Sequence, residues 1–407
     1  VQALRAHASR AWLALAGPLP AGARANLTVE ALAALAYGVF FAAGISYVPV
    51  ILRRLGAGAD IIALQITLSY VGSLLAPLSL LALRRMQPLP LVVASWALAR
   101  GCLVLLAFTS DPWLMLLVIT LFWIGEHAPA PAYARVIQLA YPADVRGRAM
   151  ALVRAVMVAA LTLVTPVAGV LLDIGGHRAL LPIAAGAGVI AALACSRLHL
   201  PTASDEPTGP APPSLAAALA LVGGDRRFLG YLLGIALFGL GNIISIPLFP
   251  LVQVDRLQLS YGVIGLLGVV QSLCWMLGFL LWGRVIDRTG PVAVMLGTSL
   301  IAIIVPLCYA AADTVWLLIP ACIAQGLVFA GFDLGASTAA IALAPPGRVL
   351  AYAAVQHVVI GVRGMLAPLL AAALIGAGYA DTLVFAVGIG LLVLAAGCFV
   401  SYRRAAP

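Results

Sequence analysis

Glu126 and His127 stand side by side after fourteen uncharged residues, and Pro129 and Pro131 follow them. Prolines in a helix free backbone carbonyls and kink it. An acid beside an imidazole can pass protons. Asp333, two residues after Gly331, is a second carboxylate set in a long apolar run. A charge placed away from water is costly and marks function, and a carboxyl there can trade protons with its surroundings. Glu126 and Asp333, with His127 and His357 as possible relays, are therefore the candidates for proton coupling or ion binding. The plainer alternative for each is a structural ion pair or a packed hydrogen-bond donor.

Arg100 and Arg363 are the cations of this set. By depth, Arg100 is placed to neutralise Glu126. Arg363 is placed to bind an anionic substrate group or to pair with Asp333. Tyr37, Trp123, Asn242, Gln271 and Trp275 are candidates to line a substrate cavity, or else simple packing residues. Glu30, Arg135 and Arg154 lie towards one end of their segments and form a candidate inner gate, or an ion pair inside one bundle.

These residues stand out because charge is scarce. The chain has 407 residues, 64% of them hydrophobic and 9% charged, with a mean hydropathy of +1.12. A soluble protein carries about 25% charged residues, so a water-covered enzyme, a coiled coil and a disordered chain are excluded. Long unbroken apolar runs, rather than short alternating ones, exclude a membrane barrel. All 23 basic residues are arginine; the net charge of +9 reads as membrane topology, not nucleic-acid binding. The six cysteines lie in apolar runs without metal-ligand spacing, and no metal or cofactor is expected.

A span needs about 20 apolar residues. The pattern yields twelve, near 27–52, 60–83, 89–109, 112–140, 148–172, 178–198, 228–252, 261–283, 291–311, 314–341, 348–375 and 380–402. Gly56-Ala57-Gly58, Asp111-Pro112, Gly175-Gly176, Gly290-Pro291 and Pro345-Pro346-Gly347 punctuate them. With the N-terminus inside, fifteen arginines fall in cytoplasmic segments and four (Arg53, Arg54, Arg178, Arg256) in outer loops. That asymmetry predicts cytoplasmic termini in a bacterial plasma membrane. Residues 1–26 read as an amphipathic cytoplasmic segment, 27–198 as one six-helix bundle, 199–227 as a Pro-rich linker, 228–402 as a second bundle and 403–407 as a tail. The halves echo one another: Gly125, Pro142 and Thr165-Pro166 in the first, Gly331, Pro345 and Ala367-Pro368 in the second. The expected fold is an all-α membrane protein, twelve transmembrane helices in two pseudo-symmetric six-helix bundles.

Gly283-Arg-Val-Ile-Asp287-Arg288-Thr-Gly290, between spans eight and nine, resembles the signature loop of the major facilitator superfamily. Arg146-Gly-Arg148-Ala-Met, between spans four and five, resembles another loop of that superfamily. Aligning Arg84 with Arg288 puts Leu83 opposite Asp287, so the first-half loop lacks the carboxylate. In the second-half loop, Gly283 and Gly290 are expected to allow close helix approach and a tight turn. Asp287 is expected to accept from free amides at a facing helix start, beside Arg146 and Arg148, as a gate.

No phosphate loop, nucleophile elbow or zinc-helix motif is present, so no enzyme activity is expected. The resemblance implies a secondary transporter working by alternating access. The first expectation is proton-coupled export of a hydrophobic or amphiphilic small molecule by a monomer in the lipid bilayer. The alternatives are uptake of a small polar metabolite or anion, and a membrane sensor that transports nothing.

Overall fold

A computed structural model of the chain describes residues 21–72, 74–75, 85–200, 215–345 and 348–404. Most of the expected amphipathic segment and the core of the linker lie outside these residues. Among the described residues every regular element is helical. Among these residues nine helical stretches are long and apolar enough to cross a membrane, and two apolar helices, Ala59–Ser69 and Pro112–His127, are shorter. One of the nine, Leu152–Cys195, is double. Gly176 breaks it at φ 68°, a conformation glycine adopts without the steric cost that a Cβ brings. Divided there, the described residues contain twelve apolar helical segments, as many as the hydropathy predicts.

Span one runs over Ala21–Ala43, passes a 3-10 turn at Ile45–Tyr47 and resumes over Val48–Arg54. Span two is Ala59–Ser69, span three Pro88–Gly101, and span four Pro112–His127 followed by Ala130–Ala140. Spans five and six form Ala143–Cys195. A short helix, Leu215–Gly223, precedes span seven, Arg226–Ile244, which passes a 3-10 turn at Ile246–Leu248 and ends in Val252–Arg256. Span eight is Tyr261–Thr289, span nine Pro291–Ala302 and Ile304–Ala311, span ten Leu318–Leu343, span eleven Val349–Gly376 and span twelve Asp381–Arg404. Spans one and seven break at matching places, just before Pro49 and Pro250, so the repeat is visible in the backbone as well as in the sequence.

Local chemistry sets the ends. Asp111 accepts from the amides of Trp113 and Leu114 and caps span four, with Pro112 in the first turn. Asp225 and Ser260 cap spans seven and eight in the same way. Each side chain takes up amides that a helix start leaves unpaired.

The chain divides into two compact units, Val1–Val48 with Gly72–Thr208, and Pro49–Val71 with Gly209–Pro407. In the first, Leu27, Tyr141 and Val153 anchor one apolar cluster and Val92, Val136 and Leu198 another. Asn26 donates to the carbonyls of Ala140 and His199 and accepts from the His199 amide, joining the ends of spans one, four and six. In the second, Phe228, Tyr231, Phe238 and Phe399 fill one cluster and Ile244, Leu248, Leu318 and Phe385 another. Leu98, Leu163 and Ile174 are 75%, 73% and 81% exposed. Such faces are stable only against lipid.

Candidate functional site

The first unit holds a cavity of about 430 Å³ lined by Glu30, Tyr37, Trp96, Arg100, Glu126, His127, Tyr133, Arg154 and Cys195, with small and apolar neighbours. Glu30 and Tyr37 sit two turns apart on one face of span one. Trp96 and Arg100, four residues apart, share a face of span three. Glu126 and His127 end the first part of span four, just before Pro129.

That break explains the local wiring. Pro129 has no N–H, so the Gly125 carbonyl loses its helical donor. The Ser95 hydroxyl supplies one instead, at 2.8 Å. One residue on, the Trp96 indole N–H donates to the Glu126 carbonyl at 3.1 Å. Span three thereby takes up backbone acceptors at the end of the helix and holds Glu126 over the cavity.

The Arg100 guanidinium meets the Glu126 carboxylate through two hydrogen bonds, Nη2 to Oε1 at 2.8 Å and Nε to Oε2 at 2.9 Å. Both side chains are buried, 4% and 9% exposed. The same guanidinium lies over the rings of Tyr37 and Trp96, 4.6 Å from each centroid. A charge pair with this geometry is compensated in place. His127 stacks on Trp123 at 5.0 Å and faces the cavity.

Glu30 is the second carboxylate of the cavity and is only 2% exposed. It accepts from the Tyr133 hydroxyl at 3.0 Å and the Tyr141 hydroxyl at 2.6 Å. Two neutral phenols therefore hold it. The sequence reading places Glu30 with Arg135 and Arg154 in an inner gate. Glu30 belongs to the cavity wall, because tyrosines of span four and of its end lie within its reach. Arg154 lines the same cavity and Arg135 is partly exposed on Ala130–Ala140.

The second unit places its candidates differently. Arg363, 5% exposed, donates to the Ile235 carbonyl at 2.5 Å and lies 4.7 and 5.6 Å from the Phe332 and Phe238 ring centroids. Its Nε is buried without a partner. The guanidinium thus sits over phenylalanine rings and a backbone oxygen, where pairing with Asp333 was one expectation. Asp333 is half-buried on span ten, and its carbonyl accepts from the Ser337 hydroxyl. His357 is exposed on span eleven and Asn242 half-buried on span seven. Gln271 faces a smaller cavity of this unit, and Trp275 packs edge-on against Phe329. Trp123 backs the first cavity through His127 and is not among its lining residues.

Of the loop residues, Gly290 takes φ 81° and closes span eight, its N–H bonding to the Ile286 carbonyl, before Pro291 starts span nine. The tight turn requires it. Gly283 is different: a Cβ there meets open space, so close helix approach is not its reason. Arg288 is exposed. Asp287, Arg146 and Arg148 lie in described helices, but their side chains fall outside the described structure.

Trp96, Tyr133, Tyr141 and Cys195 were not singled out from the sequence. The available signal was Trp96 one helical turn before Arg100. The tyrosines approach Glu30 from 103 and 111 residues away, and no local pattern marks that.

The sequence matches the family description Major Facilitator Superfamily over residues 31–256 and again over 231–407. Among solved structures, the chain is similar to a mutant form of the nucleoside transporter NupG. The TM-score is 0.70 at 16% identity, over 93% of this chain and 99% of that one. It is also similar to a bacterial homologue of the human lysosomal transporter Spinster, in an inward-facing and unoccupied conformation. There the TM-score is 0.68 at 16% identity, over 95% and 98% of the two chains. No curated protein matches the sequence.

Proposed function

Because the chain belongs to the major facilitator superfamily, we propose that it carries an amphiphilic small molecule by alternating access, with proton exchange at Glu30. The observation that carries this reading is the unequal holding of two carboxylates in one cavity. Glu126 is matched by Arg100, so a proton on Glu126 leaves a buried guanidinium unbalanced. Glu30 is held by phenols, so a proton there removes a buried negative charge. Three aromatic side chains and the charged groups suit a substrate with an apolar ring and a polar end, and a volume of about 430 Å³ is within the range of small-molecule sites. The Arg100–Glu126 pair then serves as the fixed wall and Glu30 as the group that changes charge. The bilayer is taken to be a bacterial plasma membrane, with both termini cytoplasmic and the monomer as the working unit. Export is the direction proposed.

A second reading, uptake of a small polar metabolite, is favoured by the fold shared with NupG, a nucleoside transporter by its printed name. Proteoliposomes with radiolabelled ethidium or uridine, with and without a pH gradient, separate the two. On the main reading ethidium accumulates in wild-type vesicles only with the gradient. Glu30→Gln equilibrates ethidium but no longer concentrates it. Gradient-driven accumulation by Glu30→Gln equal to wild type refutes the role of Glu30.

A further inference from the structure

The second unit contains its own cavity of about 160 Å³, built from spans seven, eight, nine and ten. The break in span seven turns Phe249 out to stack on Tyr309 of span nine, centroids 3.9 Å apart and planes 15° apart. The Tyr309 hydroxyl is fixed from behind by the Gln253 amide at 2.9 Å. Phe329 supplies another ring from span ten. The polar groups of the lining are carboxamides: Gln271 on span eight and Gln325 on span ten. Gln325 is 8% exposed, and its side-chain oxygen is buried with no hydrogen-bond partner.

Three properties limit what this space accepts. No charged residue among those described lines it, so an ion entering it would lose its hydration without compensation. Its volume is close to that of an apolar cavity of about 150 Å³ that admits one benzene ring. A buried oxygen without a partner is costly, and the carboxamide that carries it presents a carbonyl and an NH2 side by side. The complement of that edge is a cis-amide, which returns an N–H to the oxygen and a carbonyl to the nitrogen. The match holds whichever way the amide is turned.

We propose that this cavity binds one uncharged six-membered ring of the lactam type, seated among the Phe249, Tyr309 and Phe329 rings and hydrogen-bonded edge to edge with Gln325. The site lies wholly inside the second unit. It does not depend on Glu30 or on proton coupling, and its binding is measured without transport.

The test uses the purified full-length protein in lipid nanodiscs with 2-pyridone, N-methyl-2-pyridone and benzene as probes. Affinity is read by ligand-observed NMR and the unfolding midpoint by calorimetry. The expected result is that 2-pyridone binds and raises the midpoint, about tenfold more tightly than N-methyl-2-pyridone, which lacks the donor. Gln325→Leu is expected to abolish that preference by weakening 2-pyridone about tenfold. Gln325→Met, unbranched and apolar, repeats the comparison where leucine is not accommodated. Val305→Phe fills the cavity and is expected to remove binding of all three, which separates the site from partition into lipid. The proposal is overturned if 2-pyridone does not bind, as for a cavity that holds only water. It is equally overturned if the two pyridones bind alike, or if the Gln325 variants or Val305→Phe leave 2-pyridone affinity unchanged.

Discussion

Glu126→Gln tests the central pair of the first unit. The substitution keeps shape and removes one charge, leaving the Arg100 guanidinium buried at 4% exposure without its counter-ion. Breaking a buried pair from one side costs about 3–5 kcal/mol. Here the Tyr37 and Trp96 rings still face the guanidinium at 4.6 Å, and each such contact contributes about 0.5–2 kcal/mol. The expected cost therefore falls at the low end, about 3 kcal/mol. Arg100→Met leaves a bare carboxylate and no ring contact to soften it, so about 4 kcal/mol is expected. The double variant Arg100→Met/Glu126→Leu removes both charges and keeps the volume filled. Apolar replacement of a whole buried pair is often neutral or better, so it should cost about 1 kcal/mol or less. A double variant that costs less than either single shows that the two buried charges offset one another. Equilibrium unfolding in mixed micelles, followed by tryptophan fluorescence, measures the three costs, and Trp96 beside the pair reports on the site itself. A double variant that costs the sum of the singles, or a Glu126→Gln within about 1 kcal/mol of wild type, refutes the reasoning.

Two glycines, three residues before and four residues after Ile286, should behave oppositely or nearly so. Gly283→Ala meets open space within a helix and should stabilise by about 0.5–1 kcal/mol, whereas Gly290→Ala, at φ 81°, should destabilise by about 1 kcal/mol. The same unfolding assay ranks them, and equal effects would contradict the turn geometry. At the ends of spans one and seven, Arg53 meets Asp255 with side chains 25% and 44% exposed. The coupling in an Arg53→Ala, Asp255→Ala cycle should stay below about 1 kcal/mol and shrink in 1 M salt, where screening reaches within about 3 Å. A salt-insensitive coupling above that bound would show the pair to be less hydrated than its exposure indicates.

The features legible in the sequence are those set by residues close along the chain. Membrane placement follows from composition, and the twelve spans follow from runs of about 20 apolar residues. The break of span four follows from Pro129, and the turn after span eight from Gly290-Pro291. The juxtaposition of Arg100 and Glu126 also follows from depth, since a buried cation and anion at one level seek each other. The setting of Glu30 does not. Its partners arrive from span four and from the residue just before Pro142, and only the packing of span one against them brings two phenols to one carboxylate. Arg363 is the converse case. Its sequence setting suggests an anion or Asp333, while the fold surrounds it with Phe238, Phe332 and the Ile235 carbonyl. Which charges lie in a membrane is thus decided by sequence, because hydropathy is a local sum. Which of them are balanced, and so which can change charge, is decided by tertiary structure, because the compensating groups come from helices far apart in the chain.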